Sequence, residues 1–206
     1  MIRGERLNGY THLTGTVLAA AGCAQLVSLA ATRNDPMRIA SFAIYGATLL
    51  LMYLMSTAYH SVPHGRAKDF LRKCDFCAIY LLIAGCYTPF ALVTLRETFG
   101  WQLFAGVWAL ALLGIAQEIW LAKGTRAISL LIYIVTGWMG LLVALPLVDA
   151  ISLRGFLWLL GSGIVFTVGI VFYLYDDRYP YWHGIWHIFV LAGSALHYYA
   201  VVRFVA

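Results

Sequence analysis

Charged residues are scarce in this sequence. Only 11% of the 206 residues are Asp, Glu, Lys or Arg, whereas 62% are apolar. Soluble globular domains are close to half apolar and carry about 25% charged residues. The shortage of charge therefore excludes a soluble domain and predicts an integral membrane protein. The length suits one compact helical bundle, so we expect residues 1–206 to form a single membrane domain.

A continuous basic face is also absent, although the formal net charge is +5. The lysines and arginines lie in short connections between apolar runs, which is typical of membrane topology. This distribution argues against nucleic acid as a partner. It leaves a membrane lipid as the expected substrate or ligand.

Cysteine is equally sparse. Cys23 and Cys86 fall inside apolar runs, so a secreted disulfide framework is not indicated. Cys74 and Cys77 have the spacing of half a zinc site, but no second pair is present to complete four thiolates. We interpret them as neighbouring thiols on a helix without a function of their own.

Long apolar runs are what the sequence does contain, and a transmembrane helix needs about 20 such residues. Seven runs qualify, with approximate bounds 11–32, 38–60, 75–95, 101–121, 127–148, 155–175 and 183–205. The alternating pattern of a barrel strand is missing, and backbone groups in lipid must be satisfied within each segment. The sequence therefore predicts an all-α integral membrane protein, a bundle of seven transmembrane helices.

The basic residues favour a cytoplasmic N-terminus. The N-terminus and the second, fourth and sixth connections would share one side of the membrane. That side carries Arg3, Arg6, Arg66, Lys68, Arg72, Lys73, Lys123, Arg126 and Arg178, and the other carries Arg33, Arg38, Arg96, Arg154 and Arg203. Because the side richer in Lys and Arg is normally cytoplasmic, we expect the N-terminus inside and the C-terminus outside.

Ionisable residues inside membrane segments mark functional sites by default, because they are costly to bury in lipid. Four of them fall at the same predicted depth, on the cytoplasmic side. His60 ends the second run, Asp75 opens the third, and His183 and His187 open the seventh. Three further polar residues lead into the first run on that side: Glu5, Asn8 and His12.

The histidines have the arrangement of a zinc site. His183 and His187 are four residues apart and share one helix face. With His60 from another helix they supply the three protein ligands of a catalytic zinc centre, whose fourth position holds water. Asp75 is the nearest carboxylate that could hold or deprotonate that water, and Ser56 lies one helical turn before His60.

Simpler interpretations exist for each residue alone. A single histidine can cap a helix or lie at the membrane interface, and the glutamate that follows the first histidine in zincins is Gly184 here. His64 is an alternative ligand beyond Pro63, and His197 belongs to the opposite leaflet, where we expect a hydrogen bond inside the bundle. Gln117 and Glu118, late in the fourth run, can be either interfacial or close to the metal ligands. Three histidines and an aspartate at one depth favour metal over four independent roles.

Four motifs in order carry a family resemblance. They are "GERLNGYTH" with Glu5, Asn8 and His12, "STAYH" with Ser56 and His60, "DFCAIYLLIAGCYTPF" with Asp75 and Tyr80, and "HGIWH" with His183 and His187. They resemble those of the bacterial hemolysin III family, within the progestin and adipoQ receptor family and the alkaline-ceramidase-like superfamily. The match covers nearly the whole chain.

The resemblance implies a seven-helix fold with zinc held by His60, His183 and His187 near the cytoplasmic face. It implies that Asp75 holds the zinc-bound water, and that Glu5, Asn8, His12 and Tyr80 are candidates for the surrounding layer. Glu5 is the sole carboxylate where some ceramidases bind calcium, so we expect no calcium there. Phe76 replaces a histidine common in the bacterial motif, which removes any proton relay through that position.

Three functional hypotheses follow. The first is a zinc-dependent hydrolase of a lipid amide or ester, with zinc-bound water as nucleophile and Asp75 and Ser56 as catalytic residues, in the bacterial inner membrane. The second is a non-enzymatic protein of membrane homeostasis, or a sensor of lipid state, with structural zinc. The third is a pore-forming hemolysin, against which the apolar middles of the helices argue.

Overall fold

The computed structural model describes residues 4–121 and 126–206, and within these ranges it is helical with no strand. The helices are α1 Arg6–Ala31, α2 Pro36–Tyr59, α3 Arg66–Pro89, α4 Gly100–Ala116, α5 Arg126–Gly137, α6 Ala144–Leu174 and α7 Trp182–Phe204. Two π-helical turns, Phe90–Thr94 and Gln117–Leu121, extend α3 and α4, and a 3₁₀ turn, Met139–Val143, joins α5 to α6. Arg3 and Lys123, two of the basic residues used to orient the chain, lie outside the described residues.

Six helical segments of the described chain are long and apolar enough to cross a membrane. Five of them overlap single predicted runs, but the third, Arg66–Thr94, begins nine residues before the predicted start at residue 75. Asp75 therefore lies inside α3 and does not open it, because the charged residues before it continue the same helix. The sixth segment is the 49-residue Arg126–Leu174, which overlaps both the fifth and the sixth predicted runs. It is not one regular helix, because Ser152 has φ 65° and ψ 161°. This break falls inside the connection predicted at residues 149–155.

Local sequence explains where α2 begins and how α3 ends. Asp35 caps α2, since its carboxylate accepts hydrogen bonds from the backbone N–H groups of Met37 at 3.0 Å and Arg38 at 3.3 Å. Pro36 occupies the first turn, where its missing N–H is not needed. Pro89 does not stop the third helix, which continues as a π-helical turn to Thr94.

Close helix contacts build the bundle. Helix α1 packs on α2 and α7, α3 packs on α2, α4 and α5, and α6 packs on α7. Small residues permit the closest approaches, as is common between helices in membranes. A Cβ atom on Gly46 would lie 2.4 Å from the Cys23 sulfur, so α1 and α2 meet there without room for a side chain. Large apolar side chains such as Leu142 and Leu145 remain exposed on the outside of the bundle.

Substitution Gly46→Ala should destabilise the protein by about 1–3 kcal/mol, because the added methyl group overpacks the contact between α1 and α2. Gly161→Ala is the matched control, since nothing lies within 4 Å of a Cβ atom at that helical glycine. Melting temperatures of the purified variants in detergent compare the two. An equal change at both positions would contradict the packing explanation.

Candidate metal centre

Three histidines meet at one end of the bundle. The end of α2 supplies His60, and the first turns of α7 supply His183 and His187. One ring nitrogen from each lies within 4.8 Å of the other two, a spacing at which the three could hold a metal ion. His60 and His187 are buried and His183 is partly buried. The structure thus brings together the three histidines that the sequence predicts as metal ligands.

The local backbone fixes where the α7 histidines point. Tyr181, immediately before α7, has a left-handed conformation with φ 67°, which is uncommon for a bulky residue. The chain therefore turns sharply into the helix just before His183. Gly184 follows, and a Cβ atom there would lie 2.4 Å from the Leu7 side chain. The glycine thus lets the first turn of α7 approach the start of α1.

Each of the three imidazoles is held through its Nδ1 atom. His60 donates to the Glu5 carboxylate at 2.8 Å, and His183 donates to the Asp176 carboxylate at 2.6 Å. His187 donates to the backbone carbonyl of Asn8 at 3.0 Å. Because Nδ1 carries the proton in each ring, the Nε2 lone pair is free to bind a metal.

The Nε2 atom of His60 supports this assignment. It is buried and has no hydrogen-bond partner among the described residues. A buried polar atom without a partner is costly, and a metal ion would satisfy it. Oriented imidazoles with a hydrogen-bonded Nδ1 are the usual form of histidine ligands in metal sites.

Two of the three histidines belong to longer chains of charge. Lys68, which is 5% exposed, donates to both Glu5 oxygens at 2.8 and 3.0 Å. Arg126 donates to the other oxygen of Asp176 at 2.7 Å. Each chain thus runs from a cation through a carboxylate to a ligand imidazole, and it fixes the carboxylate as well as the ring.

These partners keep both carboxylates ionised. Burial raises the pKa of Glu5, but the hydrogen bonds from Lys68 and His60 outweigh it and leave the pKa below its ordinary value. The same balance holds at Asp176, where burial is outweighed by the hydrogen bonds of His183 and Arg126, so its pKa is lowered. Both residues therefore accept hydrogen bonds as anions at neutral pH.

Asp75 lies beside the histidines, between two cavities. Its side chain is buried and receives a hydrogen bond from the Ser56 hydroxyl. Asp75 and His183 both line a largely apolar cavity of about 240 Å³ within the bundle. The same two residues line a polar cavity of about 490 Å³. A molecule with one apolar and one polar end could therefore place its middle at Asp75.

The other candidate residues, His12, Asn8 and Tyr80, differ in how they contact the three histidines. The His12 ring is buried and stacks on His187, with ring centres 3.6 Å apart. Asn8 holds His187 through its backbone rather than its side chain. The Tyr80 hydroxyl donates to Gln117 at 3.4 Å, so its hydrogen bond is directed away from the three histidines.

The structure also shows the contacts of His197 and Phe76, which the sequence did not predict as metal ligands. His197 is hydrogen-bonded to the Tyr45 hydroxyl at 3.1 Å inside the bundle, as expected. Phe76 lines both cavities, and its backbone carbonyl accepts a hydrogen bond from Tyr133 at 2.9 Å. A phenyl ring thus occupies the position where the bacterial motif commonly has histidine.

Sequence reasoning missed three residues of the charge chains. Lys68 and Arg126 counted only as basic residues that orient the chain, and Asp176 counted only as part of a charged connection. One signal was present for Asp176, since an acidic pair precedes His183 in "DDRYPYWH". No local signal connects Glu5 with Lys68, because they are 63 residues apart and their contact depends on tertiary packing.

Comparisons with known proteins give matches over nearly the whole chain. A family model described as "Haemolysin-III related" matches residues 1–198. Hemolysin-3 of Bacillus cereus is 38% identical over 204 residues, covering 99% of this chain and 93% of the relative. The Hemolysin-3 homolog of Bacillus subtilis (strain 168) is 41% identical over 201 residues, covering 98% and 94%.

A human protein is also similar. The monocyte to macrophage differentiation factor of Homo sapiens is 29% identical over 204 residues, covering 96% of this chain and 82% of the relative. These matches confirm the resemblance predicted from the four motifs. Together with the six apolar helices, they indicate a multi-pass membrane protein.

Removal of either carboxylate that holds a ligand ring should weaken metal binding. Glu5→Gln and Asp176→Asn are each expected to reduce metal affinity about 10- to 100-fold, since partners of ligand histidines typically contribute that much. Competition with a chelating dye measures the affinity. Glu97→Gln, at a carboxylate that is 91% exposed, is the control, and His187→Ala defines the loss of a direct ligand. Unchanged affinity in both carboxylate variants would contradict the assignment.

Proposed function

This chain belongs to the haemolysin-III-related family, and from that premise we propose that it is a zinc-dependent hydrolase of a membrane lipid amide or ester. The observation that carries the proposal is the group of three imidazoles with Asp75 beside it. Catalytic zinc sites have three protein ligands and an open fourth position. The family and the apolar helices support the bacterial inner membrane as the location.

Zinc fits the donors better than a hard cation does. Calcium and magnesium prefer oxygen ligands, whereas imidazole nitrogen suits zinc. All three donors are imidazole nitrogens, oriented by hydrogen bonds at the opposite ring atom. The anionic Glu5 and Asp176 increase the basicity of two of these rings and so strengthen their binding of a divalent ion.

Zinc held by His60, His183 and His187 would supply Lewis acidity and would lower the pKa of a bound water toward about 7. Asp75 is the proton acceptor in the reaction, and its carboxyl group then delivers the proton to the leaving amine or alcohol. The Ser56 hydroxyl holds the Asp75 carboxylate in place. His60, His183 and His187 keep their rings in a fixed orientation during these proton movements.

The two cavities are consistent with a lipid. The apolar cavity, lined by residues such as Leu82, Phe166 and Val190, accommodates an acyl chain. The polar cavity, lined by charged and hydroxyl groups, accommodates a headgroup. Because Asp75 and His183 line both, the bond between chain and headgroup would lie next to the metal ligands.

Seven crossings with a cytoplasmic N-terminus form part of the proposal. At 1.5 Å per residue, the 49 residues of Arg126–Leu174 are about 73 Å long, more than twice the roughly 30 Å core of a bilayer. The break at Ser152 has exposed Asp149 and Arg154 on either side, which suits a turn at the membrane surface. Two crossings in this segment would put the histidines on the cytoplasmic side with most basic residues.

Single cysteines test this topology. Asp149→Cys should react with an impermeant thiol reagent added to intact spheroplasts, because we place it outside. Arg178→Cys should react only after the membrane is permeabilised. Labelling is measured above the background of the native cysteines in the unmodified protein. Equal accessibility of both positions in intact spheroplasts would contradict seven crossings.

A structural zinc in a non-enzymatic protein is the second candidate. The two charge chains favour it in one respect, since they hold the ligands as firmly as a purely structural site requires. Such a protein would respond to lipid state without turnover. A pore receives less support, because a conducting path needs a polar lining through the bilayer and the inner cavity is largely apolar.

Asp75→Asn separates hydrolysis from structural zinc. The variant should retain zinc but release fatty acid from ceramides and other acyl lipids at least about 100-fold more slowly, because the proton acceptor is lost. Asp69→Asn, at an exposed aspartate one and a half turns earlier on α3, is the control. Zinc content by elemental analysis and fatty-acid release by mass spectrometry are the measurements. Zinc-bound unmodified protein that releases nothing from a broad lipid panel would support the non-enzymatic alternative.

A further inference from the structure

A polar pair at the end of α4 faces the inside of the bundle. Gln117 and Glu118 are 9% and 7% exposed, whereas the next two residues, Ile119 and Trp120, are 48% and 77% exposed. All four lie in the π-helical turn Gln117–Leu121. Such turns alter the helical register and are frequent at functional sites. Here the turn leaves a carboxylate inside the bundle and apolar side chains on its outer surface.

The Glu118 carboxylate has a hydrogen bond but, within the residues that the structure describes, no basic partner. The Ser129 hydroxyl donates to its Oε2 atom at 2.9 Å. Among residues 4–121 and 126–206, no basic nitrogen lies within 4.0 Å of Glu118. Arg126, on the same cavity wall, is occupied by Asp176 and Asp177 at 2.7 and 3.2 Å. A buried carboxylate without a cation is costly, unless a ligand supplies the positive charge.

Glu118 lines the polar cavity together with Asp75 and His183. A headgroup that occupies this cavity beside the three histidines therefore lies in the same cavity as the Glu118 carboxylate. Aromatic rings of Tyr133 and Tyr173 line it as well. The Arg126 guanidinium already lies 4.5 Å from the centre of the Tyr173 ring, so this wall accommodates a cation against an aromatic face.

We propose that Glu118 binds an ammonium group on the polar end of the amphiphile that enters this cavity. That this amphiphile is also the substrate rests on the proposed hydrolase function. Arg72 and Lys73 line the same cavity and are exposed, which places positive charge where an anionic part of the headgroup can lie. A headgroup with both an ammonium and a phosphate group matches this distribution of charge.

Binding of two ether lipids tests the assignment. A 1-alkyl lysophosphatidylethanolamine and the corresponding lysophosphatidylglycerol share the chain and the phosphate, but only the first carries an ammonium group. Their ether linkage prevents hydrolysis. Melting temperatures of the zinc-loaded full chain in maltoside micelles, measured over a range of lipid concentration, give an apparent Kd for each. We expect the ammonium lipid to bind about tenfold more tightly.

Glu118→Gln should reduce this preference to less than about twofold, because the charge is lost while the shape is kept. Glu97→Gln, at the exposed carboxylate, should retain the preference of the unmodified protein. Ser129→Ala is a milder variant that keeps Glu118 but removes the hydrogen bond from Ser129, and it should weaken the preference. It serves as the test if Glu118→Gln does not fold. Equal binding of the two lipids by the unmodified protein, or a preference retained in both Glu118→Gln and Ser129→Ala, would overturn the proposal.

Fatty-acid release from the same preparations keeps the two proposals apart. Release from acyl lipids without any preference for the ammonium lipid would overturn the Glu118 site and leave the hydrolase standing. A preference that depends on Glu118, in a zinc-loaded protein that hydrolyses no lipid, would establish the headgroup site and overturn the hydrolase.

Discussion

The Nδ1–H groups of the three imidazoles, two of them buried and one partly buried, must each donate to an acceptor if their Nε2 atoms are to bind one metal ion. That requirement determines much of this end of the bundle. The acceptors come from two separate segments: Glu5 and Asn8 at the start of α1, and Asp176 in the connection between α6 and α7. The histidines thus depend on chain segments that are distant in sequence, and these segments depend on the histidines in turn.

The cations beyond the carboxylates extend this dependence to two more helices. Lys68 lies in the first turn of α3, and Arg126 is the first residue of α5. Their ion pairs with Glu5 and Asp176 bring these helices against carboxylates that also hold a histidine ring. Ionic groups are costly to bury, but here every member has a partner, so the arrangement favours one packing of the helix ends over others. The interior of the bundle contributes apolar contact and close glycine packing, which are less selective for orientation.

The sequence was sufficient for most of the helices and for the three histidines that meet at one end of the bundle, because both follow from local rules. Apolar length identifies membrane helices, and spacing of four places His183 and His187 on one face. The residues that hold the ligands could not be found this way. Lys68 and Arg126 have an adequate explanation as topology signals, and only packing of α3 and α5 shows their second role. The π-helical turn that places Glu118 inside the bundle could not be predicted either, because the sequence was searched only for the 3.6-residue period of an α-helix.

The contact between Glu5 and His60 has a consequence for biosynthesis. Glu5 is made long before His183 and His187, so the three-histidine group cannot assemble until α7 has been made and has entered the membrane. A chain that ends before α7, or that inserts α7 in the wrong direction, lacks His183 and His187 beside His60. It also lacks the hydrogen bond from His187 to Asn8, which holds the start of α1. Metal content would then report on completed insertion, and an incompletely inserted chain would remain without metal at this site.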